Sequence, residues 1–155
     1  MSSDWGASAE PLAELLETIV ASFGVDAEVR VTEDPEGLRG EFVGDDLGPV
    51  IGHHGQTIDA IQHLAYRITF KGSPDRARVV VDAAGYRERR AAALRAVADQ
   101  AAESAVRGGR PVALDPMSAL ERRVVHEHLK ARHDVETYSE GQEPSRRLVV
   151  APLLD

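Results

Sequence analysis

Two short stretches of the sequence carry residue types that could bind phosphate. The first is a glycine-rich turn, Gly52-His53-His54-Gly55, which enters an amphipathic helical pattern. Two glycines three residues apart let a ligand approach the backbone, and free N–H groups at the start of the following helix favour an anion. The turn lacks the Gly-Lys-Ser/Thr ending of a P-loop and the third glycine of a dinucleotide-binding turn. The turn therefore favours a phosphate ligand, but a bare G-x-x-G is common and equally describes a loop that shapes the fold and binds nothing.

The second stretch pairs Arg122 with His126 in the segment 121–127. Residues four apart share one face of a helix, and the apolar residues of this segment centre on the other side. Both side chains are therefore predicted to project outward, as is Arg123. A solvated helix face with charged neighbours four apart produces the same spacing, and from the spacing alone it is the more common explanation.

Hydrophobic periodicity predicts the elements that position the glycine turn. Helical spacing runs from Pro11 to about Phe23, and alternation of apolar and polar residues predicts two strands around a turn at 33–37. Helical spacing returns over 57–70, with one apolar stripe, and a third strand follows. The stripe comprises Ile58, Ile61, Leu64, Ala65 and Ile68, and the strand passes through Ala77, Val79 and Val81.

The second half of the chain begins with a long alanine-rich helix, predicted over 86–107. Asp115 as N-cap and Pro116 at the first helical position predict the start of the next helix. Two short strands at 135–138 and 147–150 follow, separated by a polar loop. The inner face of the second helix is predicted to comprise Met117, Leu120, Val124 and Leu129.

The elements around the glycine turn resemble those of the type II KH domain, in which a G-x-x-G loop holds a nucleic-acid backbone. The resemblance covers roughly residues 11–83 and implies the order αββααβ. It implies that Gly52, His53, His54 and Gly55 contact phosphates, and that Ile51 and Ile58 flank a groove for unstacked bases. Family loops usually hold Lys or Arg between the glycines. Histidines, mostly neutral at pH 7, would hold phosphate less strongly.

The second half resembles the R-3-H domain, a module that binds single-stranded nucleic acid and is named for an Arg and a His separated by three residues. The resemblance rests on Gly109-Arg110-Pro111, on Asp115-Pro116-Met117 and on the segments 121–127 and 137–146. It implies that Arg122 and His126 contact the strand. Four supporting candidates are cationic and close in sequence to the motif or its hairpin: Arg110, Arg123, Arg146 and Arg147.

Together the two modules resemble the Jag family (SpoIIIJ-associated protein, also called KhpB or EloR). We expect an α+β fold with a disordered tail at 1–9, a KH domain at 10–83, a linker helix at 84–108 and a small α/β R-3-H domain at 109–155. Many members carry an additional N-terminal Jag domain, and this chain resembles the shorter members that begin at the KH helix. The family implies binding of single-stranded RNA, or of single-stranded DNA, in the bacterial cytoplasm. It also implies a KH-only protein partner and a regulatory or chaperone role in cell shape and envelope biogenesis.

Composition limits the other classes of function. The 155 residues include no cysteine, which excludes disulfides, thiol catalysis and cysteine-ligated zinc. The apolar runs are too short for a transmembrane helix. His126, His128 and His133 lack the helical spacing of a metal site, and no nucleophile motif is present. We therefore expect no enzymatic activity, no metal and no cofactor.

The net charge of −8 is unevenly distributed. Residues 1–83 carry a net charge of −9 and residues 84–155 carry +1. The second half is therefore expected to supply most of the electrostatic attraction for RNA. The alternative interpretation is a protein-interaction scaffold, in which the acidic first half binds a partner protein and RNA affinity is low.

Overall fold

The computed structural model describes residues 6–70 and 78–154. Residues 1–5 of the predicted tail and Ala77 of the predicted third strand lie outside these ranges. Residues 6–9, which were expected to belong to a disordered tail, form the start of the first helix. Alanine favours helix more than any other residue, and Ala9 packs against the core.

The chain divides into two compact units, residues 1–87 and residues 88–155. The predicted α+β class and the order αββααβ of the first unit are confirmed. A 3₁₀ turn at His53–Gly55 joins the second and third helices. The elements of this unit are α1 (Gly6–Phe23), β1 (Glu28–Asp34), β2 (Gly37–Val43), α2 (Gly48–Ile51), α3 (Gln56–Thr69) and β3 (Arg78–Ala83).

The sheet of the first unit has the strand order β1-β2-β3. β1 and β2 are antiparallel with Val29 opposite Phe42, and β3 is parallel to β2. Helices α1 and α3 contact each other and the sheet. Gly40 on β2 makes this packing possible, since a Cβ there would lie 2.5 Å from Leu16 Cδ1 on α1. Fully buried side chains form the core, among them Leu12, Leu16, Phe42, Ile58 and Val81.

The apolar stripe of α3 is only partly buried. Ile58, Ile61 and Ala65 lie in the core, whereas Leu64 and Ile68 are 47 % and 42 % exposed. At 100° per residue, Leu64 lies roughly 120° around the helix axis from Ile58. The stripe predicted from the sequence is therefore wider than the surface that α3 buries, and its outer edge remains accessible to solvent.

The second unit contains most of a long helix, a second helix and a three-stranded antiparallel sheet. The strand order is β4-β6-β5, so that Val150 on the central strand lies between Val112 and Thr137. No helix in the described ranges is both long and apolar enough to cross a membrane. The elements are α4 (Tyr86–Gly108), β4 (Val112–Ala113), α5 (Ala119–Leu129), β5 (Val135–Glu140) and β6 (Arg147–Pro152).

Helix α4, expected to act as a linker, contributes directly to the core of the second unit. Its residues Leu94, Ala98, Ala101 and Ala102 are buried there. Their small side chains allow close approach to the facing residues, which are Val125, Leu129, Val135, Leu148 and Val150. The second unit therefore begins at residue 88, well before the predicted boundary at 109.

Helix α5 begins later than predicted. Ser118 is its N-cap, and the Ser118 hydroxyl accepts a hydrogen bond from the Glu121 N–H at 3.2 Å. The segment before it runs along β6, with Leu114 N–H donating to Leu148 O and Met117 N–H to Arg146 O. The inner face of α5 shifts accordingly. Leu120, predicted to be internal, is 59 % exposed.

Candidate nucleic-acid interface

Two glycines determine the turn between α2 and α3. Gly52 and Gly55 have φ angles of +74° and +79°, in the left-handed region that L side chains rarely adopt. A Cβ on Gly52 would lie 2.2 Å from Thr57 Oγ1, and a Cβ on Gly55 would lie 2.8 Å from Cε1 of Tyr86. A side chain at either position would therefore require the loop to rearrange.

The two histidines between these glycines are exposed. Their rings stack with centroids 3.8 Å apart. Within the described ranges the N–H groups of His53 and His54 donate no backbone hydrogen bond, whereas the next amide, that of Gly55, donates to Gly52 O. The loop thus presents two imidazoles and two free amides just before the first turn of α3, where the helix dipole favours an anion.

Tyr86 and Arg87, which sequence reasoning did not assign to the site, support this loop. The ring of Tyr86 lies beside Gly55. The Arg87 guanidinium binds Asp59 Oδ1 at 2.8 Å through Nη1 and Val81 O at 2.9 Å through Nε. These contacts fix the first turn of α3 against the end of β3. No pattern in the sequence connects Arg87 with Asp59, which lies 28 residues earlier.

The two isoleucines expected beside the loop differ in accessibility. Ile58 is fully buried among the core residues of α1 and the sheet, so its predicted contact with bases is wrong. The apolar face of α3 that enters the core includes this position. Ile51 is half-buried and packs against the same core. A contact between Ile51 and a base remains a prediction.

Arg122 is buried, contrary to the prediction that it projects outward. It is 8 % exposed and lies on the inner stripe of α5 with Val125 and Leu129. Its Nη1 donates to Met117 O at 2.6 Å and to Arg146 O at 3.4 Å, and its Nη2 binds the Glu143 carboxylate at 2.5 Å. The sequence pattern predicts the outer face for Arg122 because charged side chains are rarely buried in a core. That prediction is wrong, since Arg122 is paired within the core.

His126 and Arg123 are exposed on the outer side of α5, as predicted. His126 Nδ1 is hydrogen-bonded to the Thr137 hydroxyl on β5. The Arg123 side chain makes no hydrogen bond or ion pair with any residue that the structure describes. A hydrogen bond from Lys130, followed by the charges of Lys130, His126 and Arg123, holds the pKa of the adjacent Glu127 below its usual value. Glu127 therefore stays ionised and offsets part of the positive charge on this face.

The other three arginines predicted to support RNA binding lie near opposite ends of the second sheet. Arg146 is half-buried in the β5–β6 loop, where its Nη1 donates to Gly141 O at 2.7 Å. Arg147 pairs with Glu140 across the strands at 2.7 Å. Arg110 lies two residues before Val112, whose partner is Val150, and thus near the far end of β6. Arg146 lies beside the segment that enters α5, because Met117 N–H donates to Arg146 O. Arg110 lies near the opposite end of β6.

Models of two domain families match the two units. The KH domain of the KhpA/KhpB type matches residues 13–81, and the R-3-H domain matches residues 92–152. These matches, with the αββααβ order and the G-x-x-G turn, define a protein that combines one KH domain with one R-3-H domain.

Proteins of three bacteria are similar to nearly the whole chain. The chain is 38 % identical over 140 residues to the RNA-binding protein KhpB of Lactiplantibacillus plantarum, covering 90 % of this chain and 44 % of that protein. It is 36 % identical over 140 residues to RNA-binding protein KhpB of Clostridium symbiosum, covering 89 % and 63 %. The KhpB of Bacillus subtilis is 30 % identical over 138 residues, covering 88 % and 66 %. The chain belongs to the KhpB, or Jag, family and spans between 44 % and 66 % of the length of these relatives.

Proposed function

We propose that this chain binds single-stranded RNA through the loop 52–55 and through the outer side of α5. The geometry of the loop carries the proposal. Its two glycines hold a positive φ, its two central amides have no backbone partner within the described ranges, and both imidazoles are exposed. Relatives that are named RNA-binding proteins support RNA as the ligand.

The two units would hold the strand by different means. The loop 52–55 would donate hydrogen bonds from amides and imidazoles to phosphate oxygens. Arg123 and His126 would supply cationic and hydrogen-bonding contacts from the second unit. Because residues 1–83 carry a net charge of −9, we expect modest affinity that weakens with salt, by a log–log slope of about −0.7 per phosphate neutralised.

Replacing both loop histidines by aspartate tests the role of the loop. The positions are exposed, so two negative charges would repel phosphate without disturbing the core. We expect RNA affinity, measured by fluorescence anisotropy, to fall at least about tenfold, the loss of one or two charge-assisted contacts. His53→Gln combined with His54→Asn serves as the control, because Asn tolerates the positive φ at position 54.

The same experiment with Gly55→Asp would be ambiguous. A side chain at position 55 would collide with Tyr86, so lost binding could reflect a distorted loop. The histidine variants avoid this collision. Unchanged affinity in the folded His53→Asp, His54→Asp variant would contradict the assignment of this loop to RNA.

The cellular role that we propose is that of an RNA-binding regulator, or RNA chaperone, in the bacterial cytoplasm, linked to cell shape and envelope biogenesis. Membership of the KhpB family supports it. Crosslinking in cells followed by sequencing should recover RNA with the wild-type chain, with transcripts of envelope genes enriched, and little RNA with the aspartate variant. Equal recovery from both proteins would contradict the proposal.

A second candidate function is protein interaction through α3. Leu64 and Ile68, one turn apart, form an exposed apolar edge on the acidic first unit. The partner proposed is a KH-only protein, as family membership suggests. Leu64→Lys with Ile68→Lys should abolish co-purification with such a protein and leave RNA affinity within about twofold. Retained co-purification would contradict this use of α3.

A further inference from the structure

The guanidinium of Arg122 is a buried cation whose partners lie on two separate segments. Its side chain is 9 % exposed, and a buried charge is tolerated only when it is paired and hydrogen-bonded. Met117 O belongs to the segment that enters α5. Glu143 and Arg146 O belong to the loop that joins β5 to β6. One side chain therefore connects the start of a helix with a hairpin loop.

This hairpin loop has no hydrophobic anchor of its own. Every residue from Gly141 to Ser145 is exposed. Backbone and polar contacts hold the loop instead. Ser145 N–H donates to Gln142 O at 2.9 Å, and Met117 N–H donates to Arg146 O at 3.2 Å. Among the residues that the structure describes, the pair between Arg122 and Glu143 is the ionic contact that joins the loop to α5.

We propose that Arg122 is a positioning residue for RNA binding and does not contact RNA itself. With Glu143 it holds the loop 141–146 against the start of α5, and thereby keeps Arg146 beside the helix that exposes Arg123 and His126. This inference rests on the proposed RNA binding of the second unit. It assigns the two residues of the Arg-x-x-x-His motif to different tasks.

Removing the carboxylate of Glu143 distinguishes the two roles by the sign of the effect. If the Arg122 guanidinium bound phosphate, Glu143 would compete with the RNA, and Glu143→Ala would strengthen binding. If Arg122 positions the loop, Glu143→Ala should weaken RNA binding about threefold to tenfold, because the loop loses its charge-assisted contact. In this variant Arg122 keeps its hydrogen bonds to Met117 O and Arg146 O, and the lost side chain is itself 59 % exposed, so we expect a protein that is less stable but folded.

Glu140→Ala is the matched control. It removes one negative charge from the same hairpin, but its partner Arg147 is itself 48 % exposed, and exposed pairs contribute little to stability. We expect RNA affinity in Glu140→Ala to stay level or rise slightly. Binding by Glu143→Ala that equals or exceeds binding by Glu140→Ala would overturn the positioning role.

Amide hydrogen exchange in the RNA-free protein separates this inference from the proposed function. The Met117 amide donates to Arg146 O across the contact that Arg122 and Glu143 stabilise. Its exchange should accelerate in Glu143→Ala and stay unchanged in Glu140→Ala. Unchanged Met117 exchange in Glu143→Ala would overturn the inference. A wild-type chain that binds no RNA would instead overturn the proposed function.

Discussion

The two units place different chemical groups at their candidate interfaces. The first unit offers backbone amides and two imidazoles on a loop between two glycines, where a side chain would collide with Thr57 or Tyr86. The second offers Arg123 and His126 on a helix whose neighbouring cation, Arg122, is occupied by Met117, Glu143 and Arg146. His53 and His54, between the glycines, are exposed, so we expect substitutions there to leave the fold intact. In the second unit, half of the motif belongs to the core.

The largest expected effect of this difference is on stability, in the second unit. Arg122→Ala leaves the Met117 carbonyl and the Glu143 carboxylate without their guanidinium partner, so we expect the free energy of unfolding to fall by about 3 kcal/mol. His126→Ala, at an exposed position, should lower it by less than about 1 kcal/mol. Urea unfolding of the two variants checks this prediction. Equal, small losses would mean that Arg122 is not structural.

Substitution of glycine in the first unit should have the next largest effect. Gly55→Ala introduces a Cβ against the Tyr86 ring at a positive φ, whereas Gly24→Ala introduces one at a positive φ with nothing within 4 Å. We expect Gly24→Ala to cost about 1 kcal/mol, and Gly55→Ala to cost about 1 kcal/mol more. Chemical denaturation of both variants measures the difference. Equal costs would show that Tyr86 yields freely to a side chain at position 55.

The salt dependence of RNA binding should differ between the units. Arg123→Gln removes an exposed cation, so the magnitude of the log–log salt slope should fall by about 0.7. The His53→Gln, His54→Asn variant should change the slope less, because the loop contributes hydrogen bonds more than charge. A larger change of slope in the histidine variant would reverse this assignment of charge to the two units.

The sequence predicts the order of the elements and the glycine loop because both depend on local patterns. Gly52 and Gly55 both have a positive φ, which glycine adopts at little steric cost. The position of Arg122 depends on tertiary structure and was predicted wrongly. Asp115-Pro116 predicts a helix start, whereas Ser118 is the N-cap of α5. The buried stripe of α5 therefore differs from the predicted one and includes Arg122. The carboxylate that allows this cation to be buried lies 21 residues later, on a loop with no periodicity.

The most direct test of the account measures RNA affinity in four proteins: the wild type, the loop variant His53→Asp with His54→Asp, the helix variant Arg123→Gln, and their combination. A single-stranded oligoribonucleotide is titrated by fluorescence anisotropy at one low salt concentration. We expect weaker binding in each variant and the weakest binding in the combination, with all four proteins folded. Wild-type affinity in both the loop variant and the helix variant would contradict RNA binding through the loop 52–55 and α5.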